Sequence, residues 1–396
     1  MRGLALEGGG ARGAYHIGAV KALIEAGYEF DGFVGTSIGA VNAAILAQGD
    51  FEKALELWQS ISLDRLFDEE EQRLLRMLIK KTLKIDKELP SDVRKALSKI
   101  IGGRGINTEK ISSFLRQYID EDVIRASSKD FGLVTVSLSE RKPYELMLED
   151  IPHGKLVDYI MASSTLPGFR VTTIDDRKFV DGGFYNNCPA NLLINRGYDE
   201  IIAIRISITG IVPRGSLDGE NIKIIERRGS LGNILHFSPE NSETNIKLGY
   251  YDGLRFAHNL RGSVYYIRPV DNDRINAGLM TLDDSIVREI GRMLDIPDMP
   301  PKRMLFEKII PRLGTYLRIG KNFDYADLII ALLEEKAKQK EIERFCVYDY
   351  DELRALAAGS PSNAKNNAKG LSIKLPINQS AAKKKAAIEI LTNSLL

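Results

Sequence analysis

Within its first 48 residues the chain runs twice from a short apolar stretch through a glycine-dense turn into a helical pattern. Residues 2–7 read as a strand and Gly8-Gly9-Gly10-Ala11-Arg12-Gly13 as a loop. Residues 14–26 then read as a helix, with Ile17, Val20, Ala22, Leu23 and Ile24 available for its buried side and Gly27 as its stop. Residues 30–34 make a second strand, Gly35-Thr36-Ser37-Ile38-Gly39 a tight turn, and residues 40–48 a small-residue helix. Such a start commits the chain to a parallel sheet, because parallel neighbours need a crossover and a helix supplies it compactly. The expected class is therefore α/β, with helices on both faces of the sheet.

Each turn raises a chemical question. The first satisfies G-x-G-x-x-G, the spacing with which backbone N–H groups at a helix start hold a pyrophosphate. The same glycines could instead aim N–H groups at a developing oxyanion. A dinucleotide site calls for an acidic residue at the end of the second strand, to hold a ribose. That strand ends in Gly35-Thr36-Ser37, and Asp31 stands near its start, so the nucleotide reading is the weaker one. The second turn matches G-x-S-x-G, which lifts a serine hydroxyl clear of the backbone and uses glycine where a Cβ would clash. Ser37 is the candidate nucleophile; the plainer alternative is a βα turn with a helix-capping serine.

A serine nucleophile needs a base, and the chain has four histidines, His16, His153, His236 and His258. The order Ser37, Asp181, then His236 or His258 is formally available for a triad. Nothing around those two histidines resembles a dedicated loop, however, and His16 lies one turn into the first helix, near the glycine loop. Asp181 is the stronger partner. It ends a strand at 178–180 and is followed by Gly182 and Gly183, which let the backbone turn away where parallel-sheet strands present ligand-contacting groups.

The rest of the chain supplies context. Residues 50–130 read as a charged helical excursion, and strand signals return at 132–138 and 144–148. A helix at 155–164 stops before Pro167, and further strands are expected at 200–206 and 264–267. Beyond about residue 276 the pattern is helical again, and Pro297, Pro300 and Pro301 mark a boundary. The expected organisation is a catalytic domain at 1–295, a helical C-terminal region at 296–358 and a mobile tail at 359–396.

Taken together, Gly8 to Gly13, Gly35 to Gly39, the segment Ala162-Ser163-Ser164-Thr165-Leu166-Pro167-Gly168-Phe169 and Asp181 to Gly183 resemble the patatin-like phospholipase family in order, spacing and flanks. The resemblance covers roughly residues 4–270. It implies a three-layer α/β/α fold with a mainly parallel central sheet, a helical insertion and a C-terminal helical extension. It also implies a serine and aspartate dyad without histidine that hydrolyses acyl esters of lipids. Carried over by position, Ser37 is the nucleophile, with Gly35, Thr36, Ile38 and Gly39 forming its elbow. Asp181 is the base, with Gly182 and Gly183 completing its motif. Gly8, Gly9, Gly10, Ala11, Arg12 and Gly13 form the oxyanion-hole segment. An acyltransferase on the same site and a non-catalytic lipid-binding protein are the alternatives, and neither metal nor cofactor is expected.

Composition narrows the partners. With 55 Lys and Arg against 54 Asp and Glu, the formal charge of +1 offers no global attraction for nucleic acid. Cys188 and Cys346 stand far apart, which fits neither a disulfide framework nor a zinc site. No secretory leader is recognisable and no run of 18 apolar residues occurs, so a cytoplasmic location is expected. Lipid at a membrane surface is the expected partner. Residues 72–85 place Arg73, Arg76, Lys80 and Lys84 on one helical side and Leu74, Leu75, Leu78 and Ile85 on another. That pattern suits peripheral contact with an anionic membrane or packing on the parent domain. Lys383-Lys384-Lys385 is open to the same two readings.

Overall fold

Strand β1 (Arg2–Leu6) is buried on both faces from Gly3 onward, as a central parallel strand must be. In the computed structural model the described residues are 1–73, 75, 105–207, 210–320, 322–359 and 379–395. They fall into two units, Met1–Ala257 and His258–Leu396.

The first unit is built on an eight-stranded sheet. After β1 come α1 (Ala14–Glu25), β2 (Gly32–Thr36) and α2 (Ile38–Ala47). Among the described residues of the excursion that follows, the elements are helices: α3 (Phe51–Ser60), α4 (Leu63–Leu66), α5 (Glu109–Leu115) and α6 (Glu121–Ala126). The chain returns to the sheet through β3 (Asp130–Ser137) and β4 (Lys142–Met147), then passes α7 (Leu156–Ser163), β5 (Thr172–Ile174) and β6 (Arg177–Asp181). It closes with α8 (Ala190–Asn195), β7 (Glu200–Arg205), β8 (Ile222–Glu226) and α9 (Pro239–His258). The order is β5-β6-β3-β2-β1-β7-β8, with β4 also paired to β3. The run β3-β2-β1-β7-β8 is parallel, whereas β4, β5 and β6 join antiparallel. The mainly parallel α/β sheet expected from the first 48 residues is therefore present.

Two elements of this unit carry weak sequence signals. Strand β8 is a half-exposed edge strand of pattern Ile-Lys-Ile-Ile-Glu. Helix α9 is polar for its length and meets α1 through close backbone approach: a Cβ at Gly18 would lie 1.9 Å from the Ile246 carbonyl oxygen, and one at Gly249 2.0 Å from that of Tyr15. Buried Tyr15 donates from its hydroxyl to Asp252 on α9 at 2.8 Å. Small residues and polar pairs thus do what an apolar stripe does elsewhere, and no hydrophobic period announces the helix.

The second unit is mainly helical. Its strands β9 (Tyr266–Ile267) and β10 (Val347–Tyr348) pair in parallel, and its helices are α10 (Asn272–Met280), α11 (Asp284–Met293), α12 (Pro301–Met304), α13 (Ile310–Leu317), α14 (Tyr325–Gln339), α15 (Tyr350–Ala358) and α16 (Gln379–Leu395). Val287 and Ile290 of α11, Leu328 and Leu333 of α14 and Leu353 of α15 share one apolar core. Buried Glu334 anchors the entry to β9 by accepting from the N–H groups of Ser263, Val264 and Tyr265 at 2.7, 2.7 and 2.8 Å.

Two expectations need correction. The division falls between Ala257 and His258, not at 295, because the apolar segment expected as a strand at 264–267 pairs with residues 347–348 and residues 272–293 bury their apolar sides in the second core. Within the segment expected as a tail, α16 buries Ala387, Leu391 and Leu395. These positions stand four residues apart and line one side of a helix. The basic stretch proposed for membrane contact lies outside the described residues except for Gln72, Arg73 and Leu75. Among the described residues no helix is long and apolar enough to cross a membrane.

Candidate active site

The site grows from the turn between β2 and α2, both almost wholly buried. Ser37 sits there at φ 56°, ψ −126°, a conformation that costs a residue with a Cβ on the order of 1–3 kcal/mol. Its neighbours show why the motif needs glycine. A Cβ at Gly35 would lie 2.2 Å from the Gly39 carbonyl, and one at Gly39 would lie 2.1 Å from the Leu6 oxygen. Side chains around the turn then hold it. Thr36 donates from Oγ1 to the Asn186 carbonyl at 2.7 Å, and the Ser37 N–H donates to Ser163 Oγ at 2.8 Å. Ser163 in turn donates to the Val134 carbonyl at 2.6 Å.

Sheet register brings Asp181 to the same place. On one edge of β3, Thr36 pairs with Val134 and Asp181 pairs with Thr135, while β4 occupies the other edge. The end of β2 and the end of β6 therefore meet head to head. Asp181 is buried, and its Oδ1 accepts from the Gly183 N–H at 2.7 Å. Oδ2 is buried with no hydrogen-bonding partner among the described residues. Burial pushes the Asp181 carboxyl up to about 6, opposed by the Gly183 N–H and by the nearby Ser37 hydroxyl, both of which favour the charged form.

The glycine loop divides its N–H groups between structure and solvent. Gly8 N–H donates to the Asn187 carbonyl at 3.0 Å, Ala11 N–H to Ile234 at 2.8 Å and Arg12 N–H to Gly9 at 3.3 Å. These three are spent within the structure, so within the expected oxyanion-hole segment Gly8 to Gly13 they are not open to an oxyanion. Among the described residues the N–H groups of Gly9 and Gly10 have no partner. Gly10 has φ 57°, and a Cβ there would lie 2.1 Å from the Ile234 oxygen. Gly13 is a packing position, since its Cβ would lie 2.6 Å from Ile38 and 2.7 Å from Trp58. Arg12 donates from Nε to the Gly232 carbonyl at 2.9 Å, and its pKa is lowered, first by burial and then by Arg227.

Several supporting residues escape a reading of motifs. Asn187 grips Gly8 twice, accepting its N–H and donating from Nδ2 to its carbonyl at 3.1 Å. Glu7, 1% exposed, accepts from the Ile206 and Ser207 N–H groups, each at 2.7 Å, and from Arg205 at 3.2 Å. Burial raises its pKa against those three favourable contacts. The chemistry of a buried Asn or Glu beside a strand end is a general hint, but their partners lie some 180 to 200 positions away in sequence and cannot be read locally.

No histidine completes a triad. His16 is fully buried, Nδ1 lies 3.2 Å from Asn42 Nδ2, and burial drives its pKa down to about 3. His153 pairs with exposed Asp122 at 2.9 Å, and neither His236 nor His258 lines the space at Ser37.

That space has two arms. A wider one of about 420 Å³ is bounded by Gly8, Gly9, Ser37, Asp181, Gly183 and Asn187, among others. A narrower one of about 80 Å³ is lined almost entirely by apolar side chains from α2, α3, α5, α7 and the segments beside them. Gly10, Ser37, Leu166 and Ile234 line both, so Ser37 stands at their junction. The wider space carries the polar groups of Asp181, Asn187 and Ser207 among apolar ones, and the narrow one is almost wholly apolar; meeting at a strained serine, they suit a substrate with a polar end, a scissile centre and an alkyl chain.

Known proteins resemble the chain over part of its length. The chain is 29% identical over 221 residues to Neuropathy target esterase sws of Drosophila melanogaster, covering 52% of this chain and 13% of that protein. It is 28% identical over 276 residues to Lysophospholipase NTE1 of Coccidioides immitis, covering 68% of this chain and 16% of that protein. The match thus spans a small part of the length of these relatives. Among solved structures, VipD from Legionella pneumophila aligns with 15% identity and a TM-score of 0.41, covering 100% of this chain and 91% of that chain. Residues 4–194, just under half of the chain, match the family model described as patatin-like phospholipase, so over this stretch the chain carries a patatin-like phospholipase domain.

Proposed function

We propose that this protein hydrolyses fatty acyl esters of lipids, as a phospholipase A or lysophospholipase, through an acyl-enzyme on Ser37. The observation that carries the reading is the meeting of Ser37, buried Asp181 and the Gly9 and Gly10 N–H groups, without a partner among the described residues, where the wider and the narrow apolar arms join. The names of the relatives, an esterase and a lysophospholipase, support the same class.

In this mechanism the alkyl chain enters the apolar arm and the polar part of the lipid lies in the wider one. Ser37 Oγ attacks the ester carbonyl carbon while its proton passes to Asp181. A free aspartate, with a pKa near 3.9, is a poor acceptor at neutral pH, and desolvation makes this one stronger. Negative charge gathers on the former carbonyl oxygen, where the Gly9 and Gly10 N–H groups and that of Ile38, at the start of α2, stabilise it. The tetrahedral intermediate collapses as Asp181 returns the proton to the leaving alcohol. Water then attacks the acyl-enzyme with Asp181 as base again, releasing the fatty acid.

The direct test uses the full chain with p-nitrophenyl butyrate and a fluorophosphonate label. The wild type is expected to turn over the ester and to take the label on Ser37. Turnover that survives in both Ser37→Ala and Asp181→Asn would remove the dyad from the mechanism.

A further inference from the structure

The segment 162–169 is part of the family resemblance, and its first half is accounted for by Ser163, which holds the Ser37 N–H. Its second half ends in Phe169. We propose that Phe169 and Phe67, stacked on each other, close the apolar arm and set the length of acyl chain this enzyme accepts. The proposal rests on the acyl-hydrolase reading above and adds to it a specificity element on the far side of the arm.

Four observations carry it. Both rings line the apolar arm and neither lines the wider one, so the pair lies beyond the junction at Ser37. The rings are nearly parallel, with centroids 6.0 Å apart and planes 17° apart, an offset contact that fills a channel with flat, stiff surface. Each ring is fixed by its own backbone. Phe67 N–H donates to Leu63 at 2.8 Å, and Phe169 N–H donates to Leu166 at 3.0 Å. Ile106 holds the backbone on either side of Phe169, its N–H donating to Gly168 at 2.9 Å and its carbonyl accepting from Arg170 N–H at 2.8 Å. Finally, the two rings come from different parts of the chain, Phe67 from the helical excursion after α4 and Phe169 from the turn after α7, so a bound chain end would meet them together.

An alkyl chain growing into such an arm gains roughly fourfold in kcat/KM for each methylene it buries. The gain should stop where the chain reaches the rings. The experiment measures kcat/KM for p-nitrophenyl esters from two to sixteen carbons on the wild type, Phe169→Ala, Phe169→Leu, Phe169→Trp and Phe67→Leu. The readout is the ratio of each ester's kcat/KM to that of the four-carbon ester, which cancels differences in folded fraction. Phe169→Ala is expected to move the optimum at least two carbons longer and to raise the ratio beyond the wild-type optimum about tenfold. Phe169→Leu and Phe67→Leu should move it the same way by less, and Phe169→Trp should move it shorter. Should Phe169→Ala not fold, Phe169→Leu and Phe169→Trp still give opposite expectations. One unchanged ratio profile across the folded variants would overturn the proposal.

A wild type that hydrolyses none of the esters would count against the acyl-hydrolase reading instead. The ring pair is then tested by displacement of a fluorescent fatty acid with saturated fatty acids of eight to eighteen carbons. Phe169→Ala should shift the preferred length upward, and identical preferences in wild type and variant would overturn the pair's role.

Discussion

The two sides of Ser37 are built from different materials. On one side, the elbow and the glycine loop are nearly all backbone, and an added Cβ at Gly10, Gly35 or Gly39 would lie within 2.2 Å of another backbone atom. On the other, the apolar arm is walled by side chains of the helical excursion and α7, which can exchange volume with neighbours. The contrast separates reaction from selection. On the proposed mechanism, backbone donors and a strained serine would hold charge in fixed positions without reorganising, whereas side-chain walls can change shape and preference without touching the reacting atoms.

The largest effects should appear on the backbone side. Ser37→Ala is expected to lower kcat/KM at least about a thousandfold, because the nucleophile is lost while the binding surfaces stay. Asp181→Asn should cost activity on a similar scale, measured on the same short ester. It carries a second signature. Burial raises the native Asp181 pKa from 3.8 to about 6, so the native state prefers the protonated form, and that contribution to stability is full below about pH 4 and lost as pH rises through 6. Above pH 6 the Asn variant should therefore be more stable than the wild type by roughly 2–3 kcal/mol, with the gap closing below pH 4. Activity runs the opposite way. The base must be ionised, so wild-type kcat/KM should rise as pH passes about 6 and level above it. Thermal melts and pH–rate profiles on the two proteins check both slopes, and a flat stability difference across pH 4 to 7 would contradict the assignment.

Next in size is Gly39→Ala. With a Cβ placed 2.1 Å from the Leu6 oxygen, the helix and β1 must separate, and a loss of roughly 3 kcal/mol or more is expected in urea unfolding. A loss under about 1 kcal/mol would show that the elbow side yields as readily as the arm side. The chain-length shift expected for Phe169 is smaller, about tenfold in a ratio. Trp58→Phe should be smallest. It removes the 2.9 Å bond from Nε1 to Asn42 beneath the loop, costing about 1–2 kcal/mol and leaving kcat/KM within about threefold. A large loss of activity would mean that the fully buried His16, Asn42 and Trp58 group transmits to the site.

Much of the site was legible before the fold. The elbow announces itself because only glycine tolerates the close approach around Ser37, and the demand is local. Asp181 was legible for a related reason: a Cβ at Gly182 would lie 2.1 Å from the Val134 oxygen, and the Asp-Gly-Gly string marks that turn. The helices among the described residues of the 50–130 excursion were legible from its pattern. Ser163 was visible only as one serine in a recognisable segment, and Asn187 and Glu7 not at all, since their roles depend on which strand end lies opposite. Helix α9 was missed because small and polar residues make its contact with α1. The unit boundary was misplaced because the 264–267 segment looks like any buried strand until its partner at 347–348 is known.

What the sequence by itself determined is the set of places where the backbone must turn tightly or come close: the two strand–turn–helix units, the serine at the elbow and the turn after Asp181. These follow from steric rules that act over a few residues. Tertiary structure alone decided which loop N–H groups remain free, because Gly8 and Ala11 spend theirs on the carbonyls of Asn187 and Ile234. It alone placed Ser37 beside Asp181, through adjacent positions on one edge of β3, and stacked Phe67 on Phe169. Each of those pairings joins segments about 100 residues or more apart, where no local rule reaches and only the packing of the whole unit selects the partner.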